Sequence, residues 1–197
     1  FSEEIQDITI ETMVHLLIGQ SSELDFVAQW DIDPDTYFRI IEGKTASLFS
    51  FAAECGAILG KKNKWRKALK EYGRLLGMAF QIVDDILDYT GDSVILGKNP
   101  GADLQAQKVS FPILLLRQAL NESDKKHIFE IFTKSKTTAD DFLWVSSKMS
   151  DYGIGEQCLQ IAEDHVNKAL AKLESLPQGT QLGLLKAIGY KITRRIQ

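Results

Sequence analysis

Between Gln81 and Asp92 the chain reads QIVDDILDYTGD, which sets Asp84, Asp85 and Asp88 inside a run of Ile, Val and Leu that otherwise suits a core. This stretch restricts the fold more than any other. Its apolar residues recur at three and four positions, the spacing of one helix face, and the pattern reaches back to about Asn63. The spacing predicts a long helix from Asn63 to Tyr89 with Gly91 as its stop. At roughly 100° per residue, with Asp84 as zero, Gly77 falls near 20°, Asp88 near 40°, Gln81 near 60° and Asp85 near 100°. All five share one stripe, and Leu75, Leu76, Ala79, Ile82, Val83, Ile86 and Leu87 form the apolar side. Gly77, without a side chain, leaves room on that stripe for something bulky to approach the backbone.

A solvated stripe normally mixes acids with bases that support the helix. This one carries three short acids and no base within four positions of them. Asp is a poor helix former and like charges repel, so the arrangement calls for compensation. A hard divalent cation with a preference for oxygen would supply it, and Mg²⁺, which binds one or two carboxylates together with phosphate oxygens, is the natural candidate. Lys44 in GKTASL, Lys98 in LGKN and Lys108 in AQKVS are placed to converge on the stripe, an arrangement suited to a polyanion such as a diphosphate. The alternative is a merely solvent-exposed acidic face.

Helical spacing also dominates elsewhere, which predicts an all-α protein. A first helix runs to about Gly19. A second starts at DPDTYFRIIEG, with Asp33 as cap and Pro34 in the first turn, and continues through KTASLFSFAAECGAILG to about Gly60. After Gly91, GDSVILGKNPGADLQAQKVS reads as a loop of about 15 to 18 residues, long enough to be functional. Further helices are expected at SFPILLLRQAL, ESDKKHIFEIF, TTADDFLWVSSKMS, GEQCLQIAEDHVNKALAKLESL and QLGLLKAIGYKITRR, about eight in all. With only four prolines and no Gly- or Ser-rich linker, residues 1–197 read as a single domain.

The net charge of −4 gives no basic surface for nucleic acid. No apolar run approaches the roughly 20 residues of a membrane-crossing helix, so a soluble, cytoplasmic protein is expected. Cys55 and Cys158 match no metal or redox spacing and read as free thiols. His15, His127 and His165 are scattered, and Asp140 and Asp141 fall near a helix start, where capping is the simplest role. The opening FSEEIQDITIETMV begins in mid-pattern, which suggests a processed, trimmed or incomplete chain.

The ordered segments KTASL, FQIVDDILDYTGD and LGKNPGADLQAQKVSFPILL resemble those of the trans-type polyprenyl diphosphate synthases, and the likeness extends over GQSSELDF, DTYFRIIEG and SDYGIGEQCLQIAEDHVNKALAKLESLP to nearly the whole chain. The resemblance implies an isoprenoid-synthase helical bundle around a central cleft, here its C-terminal helices only. It implies a chain-elongating prenyltransferase that condenses isopentenyl diphosphate with an allylic prenyl diphosphate by Mg²⁺-assisted ionisation. By it, Asp84, Asp85, Asp88 and Asp103 serve the metal, Lys44, Thr45, Phe80, Gln81, Lys98 and Lys108 serve the substrate, and Asp84, Asp85, Lys44 and Lys98 carry the catalysis. The segments DYTGDSVILGKNPGADL and FSFAAECGAILGK are similar to those of synthases with medium or long products, commonly homodimers. The family's first aspartate-rich motif has no counterpart before Lys44, so this chain alone is expected not to elongate. The rival readings are a terpene cyclase-like enzyme and a non-catalytic subunit.

Overall fold

The computed structural model describes residues 3–90 and 101–194, and among these the regular elements are all helical. Helix α1 covers Glu3–Asp25, α2 Pro34–Ile41, α3 Ser47–Leu59 and α4 Arg66–Thr90. Helix α5 covers Ala102–Gln105, α6 Phe111–Ala119, α7 Glu122–Thr133, α8 Ala139–Asp151, α9 Ile154–Lys172 and α10 Thr180–Thr193. Ten α-helices among the described residues exceed the expected eight, partly because the proposed loop after Gly91 contains α5, where Gly101 at φ 83° turns the chain into a single helical turn. None is long and apolar enough to cross a membrane.

Helix α1 continues through Gly19 to Asp25 rather than stopping there. Glycine without an αL turn does not end a helix, and Gly19 serves close packing instead. Helix α2 begins as expected: Asp33 accepts the Thr36 amide at 2.9 Å and Pro34 occupies the first turn. The rod from Pro34 to Leu59 is not one uniform helix, because Glu42–Ala46 widens into a π turn between α2 and α3. Asn63–Trp65 forms a 3₁₀ turn ahead of α4, so the long helix starts at Arg66 rather than Asn63.

Helix α4 is the axis of the fold, packed between α3 and α9. Leu75, Leu76, Ala79, Ile82, Val83, Ile86 and Leu87 are all buried, as their spacing predicts. The bulky neighbour expected at Gly77 is the π turn. A Cβ on Gly77 would stand 2.4 Å from Ala46 Cα, and one on Gly19 would stand 2.4 Å from the Lys44 amide nitrogen. The π turn is thus gripped between the backbones of α1 and α4, which fixes Lys44 and Thr45 relative to both.

Thr138 and Asp141 form a reciprocal capping box at the start of α8, the role expected for Asp141, and Lys134 adds an ion pair to Asp141 at 2.6 Å. Helix α8 ends at Asp151, and Gly153 at φ 59° makes the turn into α9. The two cysteines are free, Cys158 buried and Cys55 partly so. His127 packs edge-on to Trp144, and His165 stacks near Phe38.

Candidate functional site

The C-terminal half of α4 faces the π turn, the end of α1 and the segment from Asp103 to Phe111. Asp85 lies at the centre: the sequence reading places it on the polar stripe opposite the apolar side of α4, and the structure buries that part of the stripe against neighbouring elements. Asp85 is 1% exposed. Its carboxylate accepts the Tyr37 hydroxyl at 2.8 Å, the Gln81 side-chain amide at 2.8 Å and the Phe111 backbone amide at 3.3 Å. A buried carboxylate persists only with such partners, and two of them come from outside α4. Tyr37 stays a neutral donor: burial, and then the Asp85 charge, push its pKa far up. Gln81 links onward, because its side-chain oxygen accepts the Thr45 hydroxyl at 2.7 Å. Thr45, Gln81 and Asp85 therefore form one relay from the π turn into α4.

Lys108 stands in a nest of acids, 3.4 Å from Glu23, 3.5 Å from Asp103 and 3.6 Å from Asp85. Burial alone would lower its pKa, but Asp85, Asp103 and Glu23 outweigh burial and raise it, so the ammonium stays charged. Glu23 also pairs with Lys44. Burial works to raise the Glu23 pKa, yet Lys44 and Lys108 together bring it below the usual carboxylate range.

Asp88 closes the far end of the stripe. Its two oxygens accept the backbone amides of Ala102 and Asp103, at 3.2 and 2.9 Å, and its own carbonyl accepts the Gly101 amide at 2.9 Å. It thereby ties α4 to the start of α5. Burial is the main cause of its raised pKa. For Asp103, burial first and the Asp85 charge second push the pKa up to about 7. Asp84 is partly exposed, and Phe80 packs against Phe49 of α3 with ring centroids 5.2 Å apart. Lys98 lies outside the described residues.

The donors on this face are hard oxygens, and Asp85, Asp103 and Glu23 crowd one ammonium, so the cluster carries more negative than positive charge among its described members. That imbalance suits a divalent cation. No three His, Cys, Asp or Glu side chains among the described residues are gathered closely enough to enclose one. A groove of about 570 Å³ between α1, α2 and α3 contains none of the candidate residues.

Tyr37 and the Phe111 amide were not foreseen, since they lie 48 and 26 positions from Asp85 with no spacing that announces the contact. Glu23 offered only a weak signal, an acid near the end of an amphipathic helix. Of the foreseen residues, Lys44, Thr45, Gln81, Asp85, Asp88, Asp103 and Lys108 are joined through hydrogen bonds and ion pairs, with Glu23 as the link from Lys108 to Lys44.

Residues 2–149 match the family model described as polyprenyl synthetase. The chain is 32% identical over 189 residues to octaprenyl diphosphate synthase of Escherichia coli strain K12, covering 89% of this chain and 54% of the relative. It is 35% identical over 179 residues to all-trans-nonaprenyl-diphosphate synthase (geranyl-diphosphate specific) of Rhodobacter capsulatus, covering 91% of this chain and 54% of that one. It spans about half the length of these relatives. A solved polyprenyl synthase from Caulobacter crescentus CB15, complexed with calcium and isoprenyl diphosphate, superimposes with a TM-score of 0.93 at 29% identity, over all of this chain and 60% of that structure. The match across most of the chain, with α4 and the π turn inside it, places this protein in the polyprenyl synthetase family.

Proposed function

We propose that this chain carries the diphosphate-handling half of a chain-elongating prenyltransferase, which condenses isopentenyl diphosphate with an allylic prenyl diphosphate and makes a medium or long polyprenyl diphosphate. The observation that carries this reading is the meeting of the α4 carboxylate Asp85 with Lys108, which Glu23 links to Lys44: oxygen donors for a cation beside ammonium groups for a polyanion. Asp84 and Asp88, the partly exposed acids of the stripe, are the proposed first ligands of Mg²⁺, with Asp103 beside them and Asp85 holding the stripe in place. When bound, the metal supplies Lewis-acid charge on the departing diphosphate.

The protein's own groups do the rest. Lys44 and Lys98 draw charge onto the leaving group, and Lys108 steadies the acids around it. The Thr45–Gln81–Asp85 relay holds the π turn and α4 in one geometry, so the lysine and the carboxylates present a preorganised surface. Phe80 and Phe49 form an aromatic wall that offers an allylic cation no nucleophile.

The proposed enzyme needs carboxylates beyond those of this chain, so binding is the direct test. With Mg²⁺ present, inorganic pyrophosphate should bind by calorimetry, and Lys44→Met and Asp84→Asn should each weaken it about tenfold or more. Equal affinity in all three proteins overturns the reading. Steady elongation by the homogeneous 197-residue chain would show instead that these residues suffice. Product chromatography on the full reading frame then measures chain length. The apolar side of α1 supports a homodimer, which sedimentation tests.

A further inference from the structure

Glu23 has no part in the metal or substrate roles proposed above, and it touches both described lysines of the cluster. It projects from α1, whereas Lys44 sits on the π turn and Lys108 follows α5. One carboxylate oxygen pairs with Lys44 and receives the Gln20 side-chain amide at 3.2 Å, while the other faces Lys108 at 3.4 Å. The Glu23 side chain is 14% exposed, against 31% for Lys44. Of the pair, the lysine side chain is therefore the more open to solvent, and an anion approaching it meets an ammonium already paired with Glu23.

This inference rests on the reading of Lys44 as a diphosphate contact. We propose that Glu23 is a built-in counter-anion, which holds Lys44 and Lys108 together until a diphosphate takes Lys44 from it. The role has two parts with opposite effects on affinity. As a partner, Glu23 keeps the Lys44 side chain in one place, so less rotamer freedom is lost on binding. As a charge beside the anion site, it repels the diphosphate and sets a ceiling on affinity, which favours release of a diphosphate product. Gln at this position isolates the charge effect, because it keeps the shape and an oxygen acceptor while losing the charge.

Glu23→Gln is expected to bind inorganic pyrophosphate about tenfold more tightly than the wild type, the factor that corresponds to about 1.4 kcal/mol. Glu23→Asp, which keeps the charge, should stay within about twofold of wild type, so that charge and not mere packing is identified. In 0.5 M salt the advantage of Glu23→Gln should shrink, as screening demands. An affinity of Glu23→Gln equal to or weaker than wild type overturns the proposal. If Glu23→Gln does not fold, carbon NMR of the wild type decides: the Glu23 carboxylate resonance should move as pyrophosphate is added, and a fixed resonance overturns the proposal. Should wild type and Lys44→Met bind pyrophosphate alike, the diphosphate reading fails and Glu23 with it. Should binding need Lys44 but ignore Glu23, only the counter-anion role fails.

Discussion

Helices α1 and α4 have nearly equal lengths, 23 and 25 residues, and invert the usual rule of burial. In α4 the acid Asp85 is sealed in the interior, whereas in α1 Ile10, Met13, Val14, Leu17, Ile18 and Leu24 stand 47–70% exposed. Residue type alone decides neither case. Asp85 is buried because Tyr37, Gln81, Phe111 and Lys108 reach it, and the α1 side chains are exposed because nothing among the described residues packs over them. Partners, not hydropathy, set where each group lies.

The sharpest way to break the contrast is to strip α4 of its buried acid. Asp85→Ala leaves the Tyr37 hydroxyl, the Phe111 amide and part of the Lys108 charge unmatched, and should cost about 3–5 kcal/mol in urea unfolding. A smaller loss is expected where α4 meets the π turn. Gly77→Ala drives a Cβ against Ala46 Cα, so the turn must shift, at about 1–3 kcal/mol, with pyrophosphate affinity falling because Lys44 moves with it.

The single place where α1 joins the charged cluster supplies a pH test. The lysines hold the Glu23 pKa below its unfolded value of 4.5, so its stabilising contribution is complete above that value and is lost as pH falls through the lower folded value. Acid unfolding monitored by circular dichroism should therefore be steeper below about pH 4.5 for wild type than for Glu23→Gln, by at most about 1 kcal/mol. The smallest effect is expected on the exposed side of α1. Leu17→Lys should change stability by less than about 0.5 kcal/mol, while hydrophobic-dye binding and self-association both fall. A large loss of stability there would show that the face is packed after all.

The periodicity that defined α4 was legible because a helix face repeats within a few residues, and so was the stripe of Asp84, Asp85 and Asp88. What the stripe faces was not legible. Whether Asp85 looks outward depends on a tyrosine 48 positions away, and no local pattern encodes that distance. Gly77 could be read as a place of close approach, but not that Ala46 would fill it. The π turn is hidden for a similar reason: EGKTA continues a helical pattern, and the backbones that close on it, at Gly19 and Gly77, lie outside the segment. Capping by Asp141 was readable because its geometry is confined to four residues.

The wide turn between α2 and α3 also acts as a ruler. Tyr37 reaches Asp85 from one side of it and Thr45 reaches Gln81 from within it. Losing one residue between Ile41 and Ser47 would let the turn close to ordinary helix, yet four residues at the α pitch turn through about the same angle as the five of this π turn, so α2 and α3 would keep nearly their present phase. Tyr37 would then still face Asp85, while the Thr45 contact, made from within the turn, is the one that would move. The turn thus sets the place of Thr45 without rotating the helices on either side of it.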